Sequence, residues 1–160
     1  MPISYIPQNI LLMPGNVFNN MMYPLESGDQ HRVIEALKAV NLYDDLLKLP
    51  QQLNTLIGDG GHGLSGGQAQ RVLLARLWYH QSPLVLIDEG TSALDPQVEQ
   101  EIYAFLKTMA SKGSTVIMIA HRYSATEISD EILLLENGIL MDHGSLAQVK
   151  QSEHFSNVFG

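Results

Sequence analysis

The strongest constraint on the fold of this 160-residue chain is a pair of short, partly β-branched apolar runs. Leu84–Ile87 and Thr115–Ile119 are each predicted as a strand, and such unbroken runs are typical of strands covered on both faces in a parallel sheet. Between them, Asp95 and Pro96 suit a helix cap and first turn, apolar residues follow at spacings of three and four, and Gly113 ends the helix. Strands that alternate with helices predict an α/β fold with a mostly parallel central sheet.

Shorter elements are predicted on either side of this pattern. Ile3–Ile6 is predicted as a strand and Leu11–Asn20 as a loop, because proline, glycine and several asparagines break any period there. The turn signal Asn137–Gly138 predicts a hairpin that pairs Glu131–Leu135 with Ile139–Asp142. Apolar spacing and capping residues predict further helices at Asp29–Val40, Tyr43–Leu49, Gln68–His80, up to about Ser129, and Leu146–Gln151.

The charge and cysteine content exclude several classes of protein. Nine Lys and Arg against 17 Asp and Glu give a net charge of −8, the wrong sign for a protein that binds a phosphate backbone, so we expect no nucleic-acid partner. With no cysteine there is no disulfide framework or thiolate metal site, which suits a reducing cytoplasm. No apolar run approaches the roughly 18 residues that span a bilayer, and nothing at the amino terminus resembles a secretory signal.

Candidate chemical groups follow both buried strands. In open α/β sheets, ligands bind at the carboxyl ends of the strands, where Asp88, Glu89 and His121 are expected. One carboxylate at such a place can hold Mg²⁺ while its neighbour polarises a water molecule, as metal-assisted phosphate hydrolysis requires. Taken alone, however, two acids after a strand are equally typical of its solvated end, and His121 of an ordinary strand-end histidine.

A stretch with six glycines among ten residues, 58–67, allows two interpretations. In the first, Gly58, Gly60 and Gly63 match the G-x-G-x-x-G pattern of a dinucleotide site, with Asp88 as the ribose-binding acid. The preceding segment Leu53–Ile57 is a poor candidate for the buried strand that such a site needs, because polar residues interrupt it.

In the second interpretation, a serine and two glycines lie directly before a helix, in the segment Leu64, Ser65, Gly66, Gly67 and Gln68. Free backbone N–H groups, a hydroxyl and the positive end of the helix dipole together suit an anionic phosphate. The same residues also suit a simple helix cap without a ligand.

These residues resemble the ATP-binding cassette (ABC) ATPases, in which LSGGQ is the signature motif. The continuation QAQRVLLAR, from Gln68 to Arg76, is also similar to the family, and a glycine turn before the signature with the pair His121–Arg122 is closest to its exporter-type branch. Four more segments resemble family motifs in order and spacing: Tyr5, Ile6, Pro7 and Gln8 the Q-loop; Leu84 to Glu89 the Walker B strand; Ser92, Ala93, Leu94 and Asp95 the D-loop; and IAHR, with His121, the switch histidine.

The resemblance implies a P-loop NTPase-like (RecA-like) fold and a role for each motif. Residues 1–20 and 81–160 would belong to the sheet core, and residues 21–80 to a small helical subdomain that carries the signature. Asp88 and Gln8 would hold Mg²⁺, Glu89 would polarise the attacking water, and His121 would contact the γ-phosphate. The signature and D-loop would contact ATP bound by a second cassette.

The resemblance also implies partners and a location. Two cassettes would stack head to tail around two ATP molecules and couple ATP hydrolysis to transport by a membrane domain, at the cytoplasmic face of a membrane. A second hypothesis is a non-catalytic module that donates its signature in trans to a complete cassette.

One family element has no counterpart in this chain, since G-x-x-x-x-G-K-[ST] occurs nowhere in the 160 residues. The chain therefore resembles the C-terminal two thirds of a cassette, truncated at its amino end. The expected consequences are weak or absent ATP hydrolysis by the chain alone, and self-association through an exposed sheet edge. Gly90 is a smaller departure, because relatives usually carry Ala or Pro there.

Overall fold

Helices and strands alternate along the chain. The computed structural model describes residues 2–9, 12–25, 27–58, 63–89 and 96–159, and the chain divides into two units, Met1–Ile119 and Ala120–Gly160. No helix among the described residues is long and apolar enough to cross a bilayer. The first unit contains, in order, β1 (Ile3–Ile6), β2 (Gly15–Asn16), α1 (Val17–Met22), α2 (Gln30–Ala39), α3 (Tyr43–Leu47), a 3₁₀ turn (Gln52–Asn54), β3 (Leu56–Ile57), α4 (Gly66–His80), β4 (Leu84–Asp88), α5 (Pro96–Ser111) and β5 (Thr115–Ile119).

The main sheet of the first unit has three parallel strands in the order β1-β4-β5. Ile6 pairs with Ile87, and Asp88 pairs with Ile119, so the carboxyl ends of all three strands lie at one edge. These strands confirm the predicted α/β class with a parallel sheet. They also bring the segments that follow β1 and β4 together at the edge where ligands bind in such folds.

Helix α4 is the central helix of this unit and packs against α1, α2 and β1. Its buried side chains lie around most of its circumference, as predicted, whereas α2 buries one face with Val33, Ala36 and Leu37. Because each fully buried aliphatic side chain contributes about 1.5–3 kcal/mol before entropy is subtracted, the α2–α4 interface is a main source of stability here. The buried residues of α4 are Ala69, Gln70, Val72, Leu73, Leu74, Ala75, Leu77 and Tyr79.

A buried polar group joins α1 to α4. Asn20 is only 1% exposed, and its side chain exchanges two hydrogen bonds with the backbone of Met13, at 2.8 and 2.9 Å. Arg76, on α4, donates from Nε to the backbone oxygen of Asn20 at 2.8 Å and from Nη2 to its Oδ1 at 3.2 Å. Burial lowers the pKa of Arg76 from its ordinary value, yet that value is so high that the guanidinium keeps its charge. The Asn20–Arg76 pair thus fixes the segment after β1 to the central helix.

Two of the predictions for this unit are wrong. Leu11–Asn20 is not a loop throughout, because β2 and the start of α1 lie inside it. Asn16 does not break the helix but caps it, its side chain accepting a hydrogen bond from the Asn19 N–H at 2.7 Å. Strand β5 is not covered on both faces, since Ile117 and Ile119 are 53% and 55% exposed. Its β-branched residues reflect strand propensity and say nothing about which face is covered.

The second unit is built around a hairpin. It contains α6 (Tyr123–Ile128), β6 (Ile132–Glu136), β7 (Ile139–Gly144), α7 (Leu146–Val149) and α8 (Glu153–Phe159). Asn137 and Gly138 have φ values of +50° and +78°, the left-handed pair that a two-residue hairpin turn requires, so the predicted hairpin is confirmed. The predicted last helix ends earlier than expected, at Val149, and α8 was not predicted. A small core of Ile132, Leu134, Val149 and Phe155 holds the unit together.

Candidate functional site

The carboxyl edge of the parallel sheet carries a hydrogen-bonded group of polar side chains. Asp88 is the last residue of β4, Glu89 follows it, and both are half-buried. The amide Nε2 of Gln8 donates to Oε2 of Glu89 at 2.6 Å, and the hydroxyl of Tyr5 donates to Oδ2 of Asp88 at 3.2 Å. Residues 81 and 83 positions apart in the chain therefore meet because β1 and β4 are paired in register.

The backbone turns sharply at Glu89. Its N–H donates to the carbonyl of Ile119 at 3.1 Å, which extends the β4–β5 pairing by one residue, and its φ is +50°. A left-handed conformation is unfavourable for a residue with a side chain, and it is found most often at functional sites that the surrounding structure holds in place. Here the carbonyl of Ile119 and the amide of Gln8 both hold Glu89.

Tyr5 is exposed at the sheet edge, and the pKa of its hydroxyl lies above the ordinary value. Partial desolvation is the first cause, followed by the hydrogen bond to Asp88 and the charge of that carboxylate. Tyr5 therefore stays protonated and continues to donate to Asp88 at physiological pH. This contact was not predicted, because a β-prone tyrosine in a short strand carries no signal of its partner.

The group fits a magnesium ion with few protein ligands. Mg²⁺ usually takes one or two protein oxygens and completes its octahedron with waters and substrate phosphates. Asp88 offers carboxylate oxygens, and Gln8, whose Nε2 is bonded to Glu89, has its amide oxygen left to coordinate. Within the part of the chain that the structure describes, no cluster of three or more His, Asp or Glu side chains could hold a metal alone. A metal at this edge would thus depend on ligands from a nucleotide.

The segment Leu64–Gln68 forms the start of α4. Ser65 is its N-cap, with Oγ accepting from the Gln68 N–H at 3.2 Å, while the Gln68 side chain accepts from the Ser65 N–H at 2.9 Å. The capping interpretation is therefore correct as far as it goes. It leaves the N–H groups of Gly66 and Gly67 without an acceptor in the helix, and both residues are exposed. Such free N–H groups at a helix start can bind an anion.

The glycines of this stretch differ in what requires them. At Gly63, φ is +105° and an added Cβ would lie 2.6 Å from the Leu56 carbonyl oxygen, so the turn itself demands glycine. At Gly66 and Gly67 an added Cβ would meet nothing within 4 Å, and neither residue has a positive φ. Nothing in the described structure requires glycine at these two positions.

The dinucleotide interpretation is wrong. Strand β3, which precedes the glycines, has two residues and pairs antiparallel with β2. A dinucleotide fingerprint needs a buried parallel strand that leads directly into a helix, and β3 cannot supply it.

Other predicted site residues are placed with less detail. Ser92, Ala93, Leu94 and Asp95, the predicted D-loop, lie outside the described residues, as does Gly90. His121 is an exposed residue of the second unit, two positions beyond the end of β5. The structure thus groups Gln8, Asp88 and Glu89, and it places the signature segment at the start of α4.

Comparison with known proteins decides the family. The family model described as "ABC transporter" matches residues 1–92 of this chain. The chain belongs to the ABC transporter family. An ATP-dependent lipid A-core flippase of Paraburkholderia xenovorans (strain LB400) is 41% identical over 143 residues, which cover 89% of this chain and 24% of the flippase. P-glycoprotein 14 of Caenorhabditis elegans is 39% identical over 143 residues, 89% of this chain and 11% of that protein.

A solved structure, titled as a bacterial Atm1-family ABC exporter with ATP bound, matches this ABC transporter chain with a TM-score of 0.89 and 34% identity. The match covers 98% of this chain and 28% of the exporter chain. The predicted resemblance and the P-loop NTPase-like fold are therefore confirmed, for a part of an exporter nucleotide-binding domain. The chain spans about a quarter or less of the curated relatives it matches. Domains of this family generally bind ATP with Mg²⁺, and exporter relatives work as dimers of such domains joined to transmembrane domains.

Proposed function

We propose that this chain is the signature-bearing part of an exporter nucleotide-binding domain and that it presents residues 64–68 to ATP held by another cassette. The supporting observation is the pair Gly66 and Gly67. Glycine in a helix costs roughly 0.5–1 kcal/mol relative to alanine, and no internal contact or backbone angle requires it here. A requirement from outside explains the pair, because only the absence of side chains allows a phosphate to approach the free N–H groups closely.

The carboxyl edge of the sheet has a separate role in this proposal. Asp88 and Gln8 would hold Mg²⁺, which neutralises phosphate charge when it is bound. Glu89 would accept a hydrogen bond from the attacking water, with the Gln8 amide holding the orientation of its carboxylate. Tyr5 would fix the Asp88 carboxylate, and His121 would contact the γ-phosphate. The D-loop residues 92–95 would adjoin the signature at the partner's nucleotide.

The proposal includes a division of the chain, a location and partners. Residues 21–80 would form the helical subdomain, and residues 1–20 and 81–160 part of the RecA-like core. The chain would act at the cytoplasmic face of a membrane, with a transporter membrane domain and a second cassette as partners. Because none of its residues forms a P-loop, the ATP that it contacts would be held by a P-loop from elsewhere.

The test is association with a complete cassette. The purified chain is mixed with the nucleotide-binding domain of the 41%-identical flippase, whose Walker B glutamate is changed to glutamine so that ATP stays bound. Sedimentation velocity is then measured with and without MgATP. We expect a heterodimer only with MgATP.

Two variants make the test specific to the signature. Gly67→Asp adds a side chain and a negative charge in the first turn of α4, where an acid favours the helix but repels phosphate. Gln30→Asp makes the same kind of change in the first turn of α2 and serves as the matched control. We expect Gly67→Asp alone to abolish the heterodimer, and equal association of both variants would contradict the proposal. In the same mixture, a loss of ATPase activity with Glu89→Gln would indicate a catalytic part and not a purely donating module.

A further inference from the structure

A cavity of about 170 Å³ lies in the first unit, between the carboxyl-terminal ends of α4 and α5. Trp78, Phe105 and Met109 form its apolar wall, and polar residues complete its lining. The polar residues nearest the strands and helix ends are Thr108, Lys112 and Ser114. We call this space the Trp78 cavity.

The Trp78 cavity is separate from the candidate nucleotide site. Ser114 directly precedes β5, and its hydroxyl donates to the carbonyl of Ser82, just before β4, at 3.1 Å. The cavity therefore adjoins the amino ends of these strands, whereas Asp88 lies at the carboxyl end. A five-residue strand at about 3.3 Å per residue puts roughly 15 Å between the two edges.

The size and apolar wall of the cavity suit a single aromatic ring. An apolar cavity of about 150 Å³ in another protein holds benzene, so a space of 170 Å³ has room for a ring with a small substituent. Trp78 and Phe105 can pack against such a ring, and the Met109 thioether makes favourable contacts with aromatic edges.

The charges around the cavity favour a neutral ligand. Helix α4 ends at His80 and α5 ends at Ser111, and each helix end carries roughly half a negative charge. Lys112, directly after α5, adds one positive charge, which balances the two ends. Neither a carboxylate nor an ammonium group would therefore gain enough to offset the loss of its hydration.

The hydroxyl groups define the polar part of the ligand. Thr108 donates its hydroxyl proton to the carbonyl of Ala104 at 3.0 Å, and Ser114 donates to the carbonyl of Ser82. Because these protons are engaged, both oxygens are left to act as acceptors. A ligand O–H group can donate to one of them.

We propose that the Trp78 cavity binds a neutral, single-ring aromatic molecule that carries one hydroxyl group. This binding is independent of the proposed nucleotide function, because the cavity shares no residue with the carboxyl edge or the signature segment.

The test uses the only tryptophan of the chain as a reporter. The ¹⁵N-labelled 160-residue chain gives one indole N–H cross-peak, which is followed while 4-methylphenol is added. We expect a saturable shift of this cross-peak. Toluene, benzoate and benzylamine serve as comparison compounds that lack the hydroxyl or carry a charge, and each is expected to bind roughly tenfold more weakly or less.

Three variants connect the shift to the cavity. Thr108→Phe places a ring in the cavity from an exposed position of α5 and should reduce the affinity at least tenfold. Lys107→Phe adds the same ring one residue away, outside the lining, and should leave the affinity unchanged. Lys112→Glu makes the cavity negative, so benzylamine should then bind better than 4-methylphenol. A shift that never saturates, a Thr108→Phe chain that binds normally, or equal binding of the charged compounds by the wild type would overturn the proposal.

Discussion

Replacement of Gly66 and Gly67 by alanine should stabilise the chain and, at the same time, weaken its ATP-dependent association with a complete cassette. Both glycines lie in the first turn of α4, neither has a positive φ, and an added Cβ meets nothing within 4 Å. Alanine at such compatible positions reduces the entropy of the unfolded chain and stabilises a protein by roughly 0.4–1 kcal/mol each. The double variant should therefore gain roughly 1–2 kcal/mol.

Two measurements on the same protein test this prediction. For a chain of this size, 1 kcal/mol corresponds to about 2–4 °C, so circular dichroism should show a Tm roughly 2–8 °C higher in the double variant. Sedimentation velocity with the glutamine-substituted flippase domain and MgATP should show weaker association, because two methyl groups would lie between the free N–H groups and the phosphate.

The control is Gly113→Ala, at a glycine with φ of +99° and open space around it. There alanine is strained, so this variant should lose stability while it keeps ATP-dependent association. A double variant that is less stable than the wild type would show that Gly66 and Gly67 serve the fold. A double variant that is more stable and still associates normally would refute the close approach of a phosphate.

Four further results are expected. Asn20→Ala should lower the free energy of unfolding by roughly 2–3 kcal/mol in urea denaturation, because the Met13 backbone and Arg76 lose a buried partner; Asn19→Ala, at an exposed neighbour, should change it by less than about 0.5 kcal/mol. Burial lowers the pKa of His80 below 6.5, so the unfolded chain takes up the proton first; stability should be complete above about pH 6.5 and fall below it, and His80→Gln should flatten this dependence, whereas an unchanged slope would exclude His80 as the cause. The chain alone should hydrolyse ATP no faster than its Glu89→Gln variant, as measured by phosphate release. Light scattering should show association at high concentration that Ile117→Lys reduces, because a lysine on the exposed strand β5 opposes edge pairing; a monomeric wild type would contradict this.

The parts of the fold that were predicted correctly have local signals. Asn137–Gly138 selects a two-residue turn by its own backbone preference, and Asp29 caps α2 with a hydrogen bond to the His31 N–H at 2.8 Å. The parallel strands were predicted because unbroken apolar runs are rare outside buried sheets. Each of these signals lies within a few residues of the element that it determines.

The missed parts depend on residues far apart in the chain. Asparagine is both a helix breaker and a helix cap, so only the contact between Asn16 and Asn19 shows which role it has in α1. Similarly, Arg76 is a charged residue in a nearly all-apolar helix, which signals a buried partner without identifying it as Asn20. For the site, the order of the motifs located Gln8 and Glu89, whereas their contact follows from the register of β1 against β4.

A pattern of glycines likewise does not distinguish residues that the fold requires from residues that a partner requires. Gly63 and Gly66 lie three positions apart in one glycine-rich stretch, yet the first is fixed by the carbonyl of Leu56 and the second by nothing in the chain. The same comparison applies to β5, where Ile117 and Ile119 have strand-forming side chains without a cover among the described residues. In both places the sequence satisfies a requirement that internal packing does not impose. Since evenly spaced apolar or glycine residues without internal contacts reduce stability or solubility, a neighbouring molecule or segment is the physical reason that accounts for them.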